Sequence, residues 1–128
     1  NDKLNVYIKR DLIVAGDIIR VTDNKIINQV VQLSPDDIDP VMKLRPYKYN
    51  VKNELNEETQ QYGLIADEVE SLIPQLVKTI GSDDIPELKA IKYIEMIPLL
   101  LAKIQDLQKQ IDGLKMTDIN LQTQINEL

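Results

Sequence analysis

The chain has no cysteine, no histidine, no tryptophan and no phenylalanine. Each absence removes a class of function. Without cysteine there is no disulfide framework, no thiolate metal site and no thiol nucleophile. Without histidine the commonest general base and the commonest transition-metal ligand are missing too. Basic residues are scattered: the longest cluster is Lys9-Arg10, followed at once by Asp11, and the net charge is −6. A phosphate-binding surface needs clustered Lys and Arg, so nucleic acid is not an expected partner. No apolar run approaches the roughly 18 residues that span a bilayer, and no membrane partner is expected. There is no glycine-rich phosphate loop, and the nearest acid pair, Asp36-Asp37, already has a helix-capping role. No cofactor and no metal are therefore expected. Asn1-Asp2-Lys3-Leu4 is unlike a signal peptide, and the pattern opens as if cut from a longer chain.

What is present is aliphatic. Apolar residues make up 43% of the 128, almost all Ile, Leu and Val, with only five Tyr. That length is the prior for one domain of modest core. Aliphatics alone suit thin helices and strands that meet other chains better than one thick monomeric core. Along residues 4–21, Val6, Ile8, Leu12, Val14, Ile18 and Val21 form short β-like runs. Asp11 and Ala15-Gly16-Asp17 punctuate them, which predicts two or three short strands at the base of a β-rich stem. Residues 22–33 mix periods and read as a turn leading to a strand or a short helix.

Ser34-Pro35-Asp36-Asp37 is a helix start: Ser34 at the N-cap, Pro35 at the first helical position, and acids in the first turn. Ile38, Val41, Met42 and Leu44 are expected to carry its buried stripe, and Pro46 to end it. Tyr47, Tyr49 and Val51 alternate as a strand. Residues 53–58 read as a hairpin loop and 60–66 as the return strand. A short helix over 67–73 stops at Pro74. Leu76, Val77 and Ile80 suggest a further strand before the Gly81-Ser82-Asp83-Asp84 loop. Leu88, Ile91 and Tyr93 then lead into a final helix.

That helix carries the strongest physical signal. Ile97, Ile104, Ile111, Asp118 and Ile125 fall at heptad position a, and Leu100, Leu107, Leu114, Leu121 and Leu128 at d. Every seam position but Asp118 is Ile or Leu, while the flanks are Gln, Lys, Asp and Asn. A 3.5-residue repeat held this long predicts a left-handed coiled coil. A helix packed only on its own domain usually has a wider apolar stripe. Each buried Ile or Leu contributes roughly 1.5–3 kcal/mol, so such a seam can drive association. Ile at a with Leu at d leans to two strands, and the residues alone leave two or three parallel chains open. Asp118 is unfavourable there unless solvated or paired, and Gly113 weakens the helix by about 1 kcal/mol.

Four blocks carry a resemblance. They are Leu44-Arg45-Pro46-Tyr47-Lys48-Tyr49, Gly63-Leu64-Ile65-Ala66-Asp67-Glu68-Val69-Glu70, Ile73-Pro74-Gln75-Leu76-Val77, and Lys89-Ala90-Ile91-Lys92-Tyr93. In order and spacing, over roughly residues 22–108, the chain resembles the intramolecular chaperone domain of phage tailspikes and tail fibres. That family is classed as a self-cleaving peptidase. A related domain occurs in membrane-tethered transcription factors of the myelin regulatory factor type. In the family these blocks are the fold and not an active site.

The resemblance implies an α+β fold: a short N-terminal β stem over 1–21, a small mixed helix and hairpin chaperone domain over 22–96, and a long C-terminal helix over 97–128 in a parallel trimeric coiled coil. It implies a homotrimer whose other partner is the upstream stem of the same polypeptide. It also implies a place in a virion tail appendage made in the host cytoplasm. The family cuts itself at a Ser-Asp-x-Arg-x-Lys segment, where the serine hydroxyl attacks the preceding carbonyl and the lysine is the base. The aligned residues are Thr22-Asp23-Asn24-Lys25-Ile26-Ile27. Thr22 takes the serine position, Asp23 is retained, Lys25 takes the arginine position and Ile27 the lysine position. Isoleucine cannot accept a proton, so the expected catalytic set of Thr22, Asp23 and Lys25 is degenerate. Cleavage at Val21–Thr22 is accordingly doubted. The rival readings are the membrane-tethered transcription factor and a plain structural trimerisation module.

Overall fold

The computed structural model describes residues 5–52, 58–81 and 87–128. It divides into two units, Asn1–Val31 and Gln32–Leu128. Leu4, residues 53–57 of the expected hairpin loop, and Ser82 to Asp84 of the expected later loop lie outside the described residues.

In the first unit the expected strands do not form. Its described residues contain turns and bends but no helix or strand. The apolar side chains stand in solvent, with Val6 at 88% and Ile13 at 90% of full exposure. Alternation creates a strand only if a second strand supplies hydrogen bonds and a face to cover, and within this unit none does. The turn expected after Val21 is present, closed by the Ile26 N–H donating to the Asp23 carbonyl at 3.0 Å. No strand or helix follows it before Pro35.

The second unit is α+β. Helix α1 spans Pro35–Ile38, as the cap signals require. The Asp37 carboxylate accepts from the Ser34 backbone N–H at 2.8 Å and from its hydroxyl at 3.0 Å. The helix stops earlier than expected. Pro40 has no N–H to donate to the carbonyl four residues back, and the chain tightens into a 3-10 turn over Asp39–Lys43. A three-residue turn aligns Ile38, Val41 and Leu44, which face the core. Met42, placed on the stripe by a 3.6-residue period, points to solvent instead.

Strands β1 (Tyr47–Lys52) and β2 (Glu58–Gly63) pair antiparallel, with Tyr47 opposite Gly63 and Tyr49 opposite Gln61. The return strand is shorter than expected, because Ala66 already opens helix α2 (Ala66–Leu72). Pro74 starts a second 3-10 turn, Pro74–Leu76. Strands β3 (Val77–Ile80) and β4 (Leu88–Ile91) form a second antiparallel pair, in which Val77 faces Ile91. A last 3-10 turn, Tyr93–Glu95, leads into helix α3, Met96–Asn126. Val41, Val69, Ile73 and Leu76 form the buried cluster, flanked by Leu44, Leu64, Leu72, Val77, Ile91, Met96 and Leu99. This core is small, and only the first turns of α3 share in it.

Candidate functional site

The geometry around Thr22, Asp23 and Lys25 is local. Asp23 Oδ1 accepts the Lys25 backbone N–H at 2.8 Å, closing a turn on the first residues after Thr22. Thr22, Asp23 and Lys25 are all exposed. Among the described residues, no hydrogen bond joins the Thr22 hydroxyl to the Lys25 side chain. The contact between this lysine and Asp23 is thus made by the Lys25 backbone and not by its ammonium group. A hydroxyl without a base in hydrogen-bond reach is a weak nucleophile.

The sequence blocks meet in a polar frame around α2. Arg45, just before β1, donates through Nε to Glu68 Oε1 at 3.1 Å and forms an ion pair with the same carboxylate through its second nitrogen. The Tyr47 hydroxyl donates to that oxygen at 2.9 Å, and the guanidinium lies 5.6 Å from the Tyr47 ring centre. The Arg45 hydrogen bond, aided by Tyr47, holds the Glu68 carboxyl below the usual carboxylate range. On the other side of α2, Lys89 of β4 donates to Asp67 at 2.7 Å and to Glu70 at 3.0 Å. Those two bonds hold its ammonium above the ordinary lysine range.

Gly63 is where the hairpin meets Tyr93, at the start of the 3-10 turn that precedes α3. A Cβ there would lie 2.7 Å from the hydroxyl oxygens of both Tyr49 and Tyr93. The Tyr93 hydroxyl in turn accepts the Leu64 backbone N–H at 3.0 Å. Burial, with the neighbouring Tyr93 hydroxyl, pushes the Tyr49 phenol up. Together with Leu64, Ile65, Ala66, Lys89 and Ile91, these tyrosines line an open cleft of about 280 Å³. Its lining is largely aliphatic and aromatic, and the Lys89 ammonium is committed to two carboxylates. The blocks build a scaffold. Among the described residues, no group of His, Cys, Asp or Glu is arranged to hold a metal ion.

The heptad face of α3 is the feature without a partner. Met96 and Leu99 pack on the core, and Lys103 bridges Asp39 and Asp106 at 3.3 Å each. At about 100° per residue the a positions Ile97 and Ile104 lie about 100° around the helix from Met96 and Lys103, and the d positions Leu100 and Leu107 about 40°. The seam residues Ile97, Leu100, Ile104, Leu107, Ile111, Leu114, Leu121, Ile125 and Leu128 are all exposed, from 37% at Leu107 to 69% at Leu114 within the helix. The globular part thus braces the helix while leaving its apolar seam free.

With this geometry, residues 25–78 match the family model Peptidase_S74, chaperone of endosialidase. The segment is a chaperone-of-endosialidase domain. The match takes in three of the four blocks, including Arg45, Tyr47, Gly63 and Glu68. It begins at Lys25, so Thr22 and Asp23 lie just outside it, and it ends before β4 and α3. No curated protein matches the chain. No described helix is long and apolar enough to cross a membrane.

Sequence reasoning took the blocks as fold-forming but missed their pairing. The ion pair between Arg45 and Glu68 spans 23 residues, and no local period links the two. The spacing of Asp67 and Glu70, one turn apart on α2, is the one local signal that could have pointed to a shared cation.

Proposed function

We propose that this chain is the C-terminal intramolecular chaperone of a viral tailspike or tail fibre, a virion appendage assembled in the host cytoplasm. It trimerises through a parallel coiled coil over Ile97–Leu128 and sets the register of the chains upstream. The carrying observation is the free heptad seam of α3, braced by a chaperone-of-endosialidase domain that leaves it uncovered. Ile-at-a and Leu-at-d alone lean to two chains, but the globular part adds to the interface, and the family's three-chain form fits that addition.

The physics of the role is direct. Pairing strands between chains is slow and exposes sticky edges while it proceeds. A coil that associates first converts a three-body encounter into an intramolecular one, at effective concentrations near millimolar. The exposed aliphatic residues of the first unit then meet their equivalents at matched height. They supply the β stem that a single chain cannot form alone. The Val21–Thr22 bond stays uncut, because Thr22 has no base within reach, so the domain acts as a lasting clamp.

Sedimentation equilibrium tests this reading. The expected result is a single species of three times the chain mass at micromolar concentration. A monomer throughout that range overturns it.

A further inference from the structure

Asp118 occupies the one polar position in the seam, and its surroundings show that its own chain does nothing to satisfy it. Among the described residues, Asp118 makes no hydrogen bond or ion pair. The polar neighbours around it bond to one another or to the backbone instead. The Thr117 hydroxyl donates to the Gly113 carbonyl at 3.0 Å, and the Thr123 hydroxyl to the Ile119 carbonyl at 2.9 Å. Gln122, one turn on, donates to Asn126 at 3.4 Å. Helix α3 runs unbroken through the position. The carboxylate therefore sits on the apolar face, between Leu114 and Leu121, exposed to solvent and without a partner in its own chain.

We infer that Asp118 sets the register and orientation of the assembled helices, an inference that rests on the parallel trimer proposed above. A carboxylate against aliphatic side chains loses its water without replacement, which is strongly unfavourable. In the parallel, in-register arrangement the three Asp118 side chains share a single layer, which can hold water among them to screen their mutual repulsion. Slipping one chain by a heptad sets Asp118 against Ile111 or Ile125 of its neighbours and makes a second unfavourable layer. An antiparallel arrangement about the middle of the seam sets it against Leu107. Each alternative spreads the desolvation over more layers. A single polar a position specifies register at some loss of stability by this means. The remaining seam cannot do so, because a run of Ile and Leu reads the same after a shift of seven.

The absence of cysteine makes the test clean. Leu128→Cys places thiols at the last d layer, where they meet only if the helices are parallel and in register. Ile97→Cys, in a separately labelled chain, meets them only in an antiparallel pair. Both are made in the full chain, with Asp118 and with Asp118→Ile, and disulfides formed under mild oxidation are counted by mass spectrometry. With Asp118, more than about nine in ten disulfides should join equivalent 128 positions, a ratio worth about 1.4 kcal/mol. With Asp118→Ile that fraction should fall several-fold as 97-to-128 pairs appear, unpaired thiols should rise above the one per trimer that three chains always leave, and the melting temperature should rise by roughly 5 °C or more. An unchanged disulfide pattern in Asp118→Ile overturns the inference, since the globular part would then set the register. A monomeric Leu128→Cys parent in sedimentation would sink the trimer reading instead, so the two failures are distinguishable.

Discussion

Replacing Gly63 by Ala should destabilise the domain by about 1–2 kcal/mol, through space and not through backbone strain. No described glycine has positive φ, so an alanine at Gly63 can adopt the same backbone conformation. Its methyl, however, would sit 2.7 Å from two tyrosine hydroxyls and 3.2 Å from a Tyr49 ring carbon. Moving the Tyr93 hydroxyl away breaks its bond with the Leu64 N–H, a loss of about 0.5–1.5 kcal/mol. Overpacking adds about 1 kcal/mol, the low end of its range, because Tyr93 is 47% exposed and its tip can swing outward. Against this, alanine restricts the unfolded chain and recovers about 0.4–1 kcal/mol. The balance corresponds to a fall in melting temperature of roughly 3–8 °C, read by circular dichroism at fixed protein concentration. Tyr93→Phe removes one of the two clashing oxygens, so Gly63→Ala should cost less in that background, and a double-mutant cycle measures the coupling. Gly113→Ala is the internal contrast. Nothing lies within 4 Å of its added Cβ, and it sits within α3, so the same substitution should stabilise by about 0.5–1 kcal/mol. A Gly63→Ala protein as stable as its parent would refute the packing argument.

Three further outcomes are expected. Leu107→Asp with Leu114→Asp puts charges into the seam and should leave a monomer with an intact globular part, seen as one chain mass in sedimentation; a fully assembled double variant would show that the globular part alone holds the chains. Glu68 has its pKa depressed by Arg45 and Tyr47, so its stabilisation is complete above the unfolded glutamate value of about 4.3 and is lost as pH falls through its lower folded value. The urea midpoint should therefore drop more steeply between about pH 5 and 3 in the parent than in Glu68→Gln, and parallel slopes would contradict this. The parent should stay intact across Val21–Thr22, whereas Thr22→Ser with Ile27→Lys supplies a less hindered primary hydroxyl and a base and should release a fragment beginning at residue 22. Intact-mass spectrometry reads both proteins, and such a fragment from the parent would mean that Lys25 serves as base.

Much of this molecule is local, and what is local is legible in the chain. The Ser34 cap, the Tyr47–Val51 alternation, the stop at Pro74 and the heptads of α3 each depend on residues a few positions apart. Dihedral preference, capping and side-chain period act at that range. Misplacements arose where a nearby residue was given too little weight. Pro40 converts the second turn of α1 to 3-10 geometry, and so Leu44 is packed against the core while Met42 is not.

What only the tertiary structure decided is which distant groups meet. That Arg45 and Tyr47 converge on Glu68, that Lys89 spans Asp67 and Glu70, and that two tyrosine hydroxyls crowd Gly63 depends on how hairpin, helix and second strand pair stack. None of these has a sequence period, because the chain between the partners sets their distance only after it has folded. The same distinction separates the two ends of the chain. The α3 seam is visible in sequence because a helix satisfies its own backbone and exists before it finds a partner. The strands read from residues 5–21 are absent from the single chain because a strand's hydrogen bonds are made by its neighbour, and no neighbour is supplied within that unit.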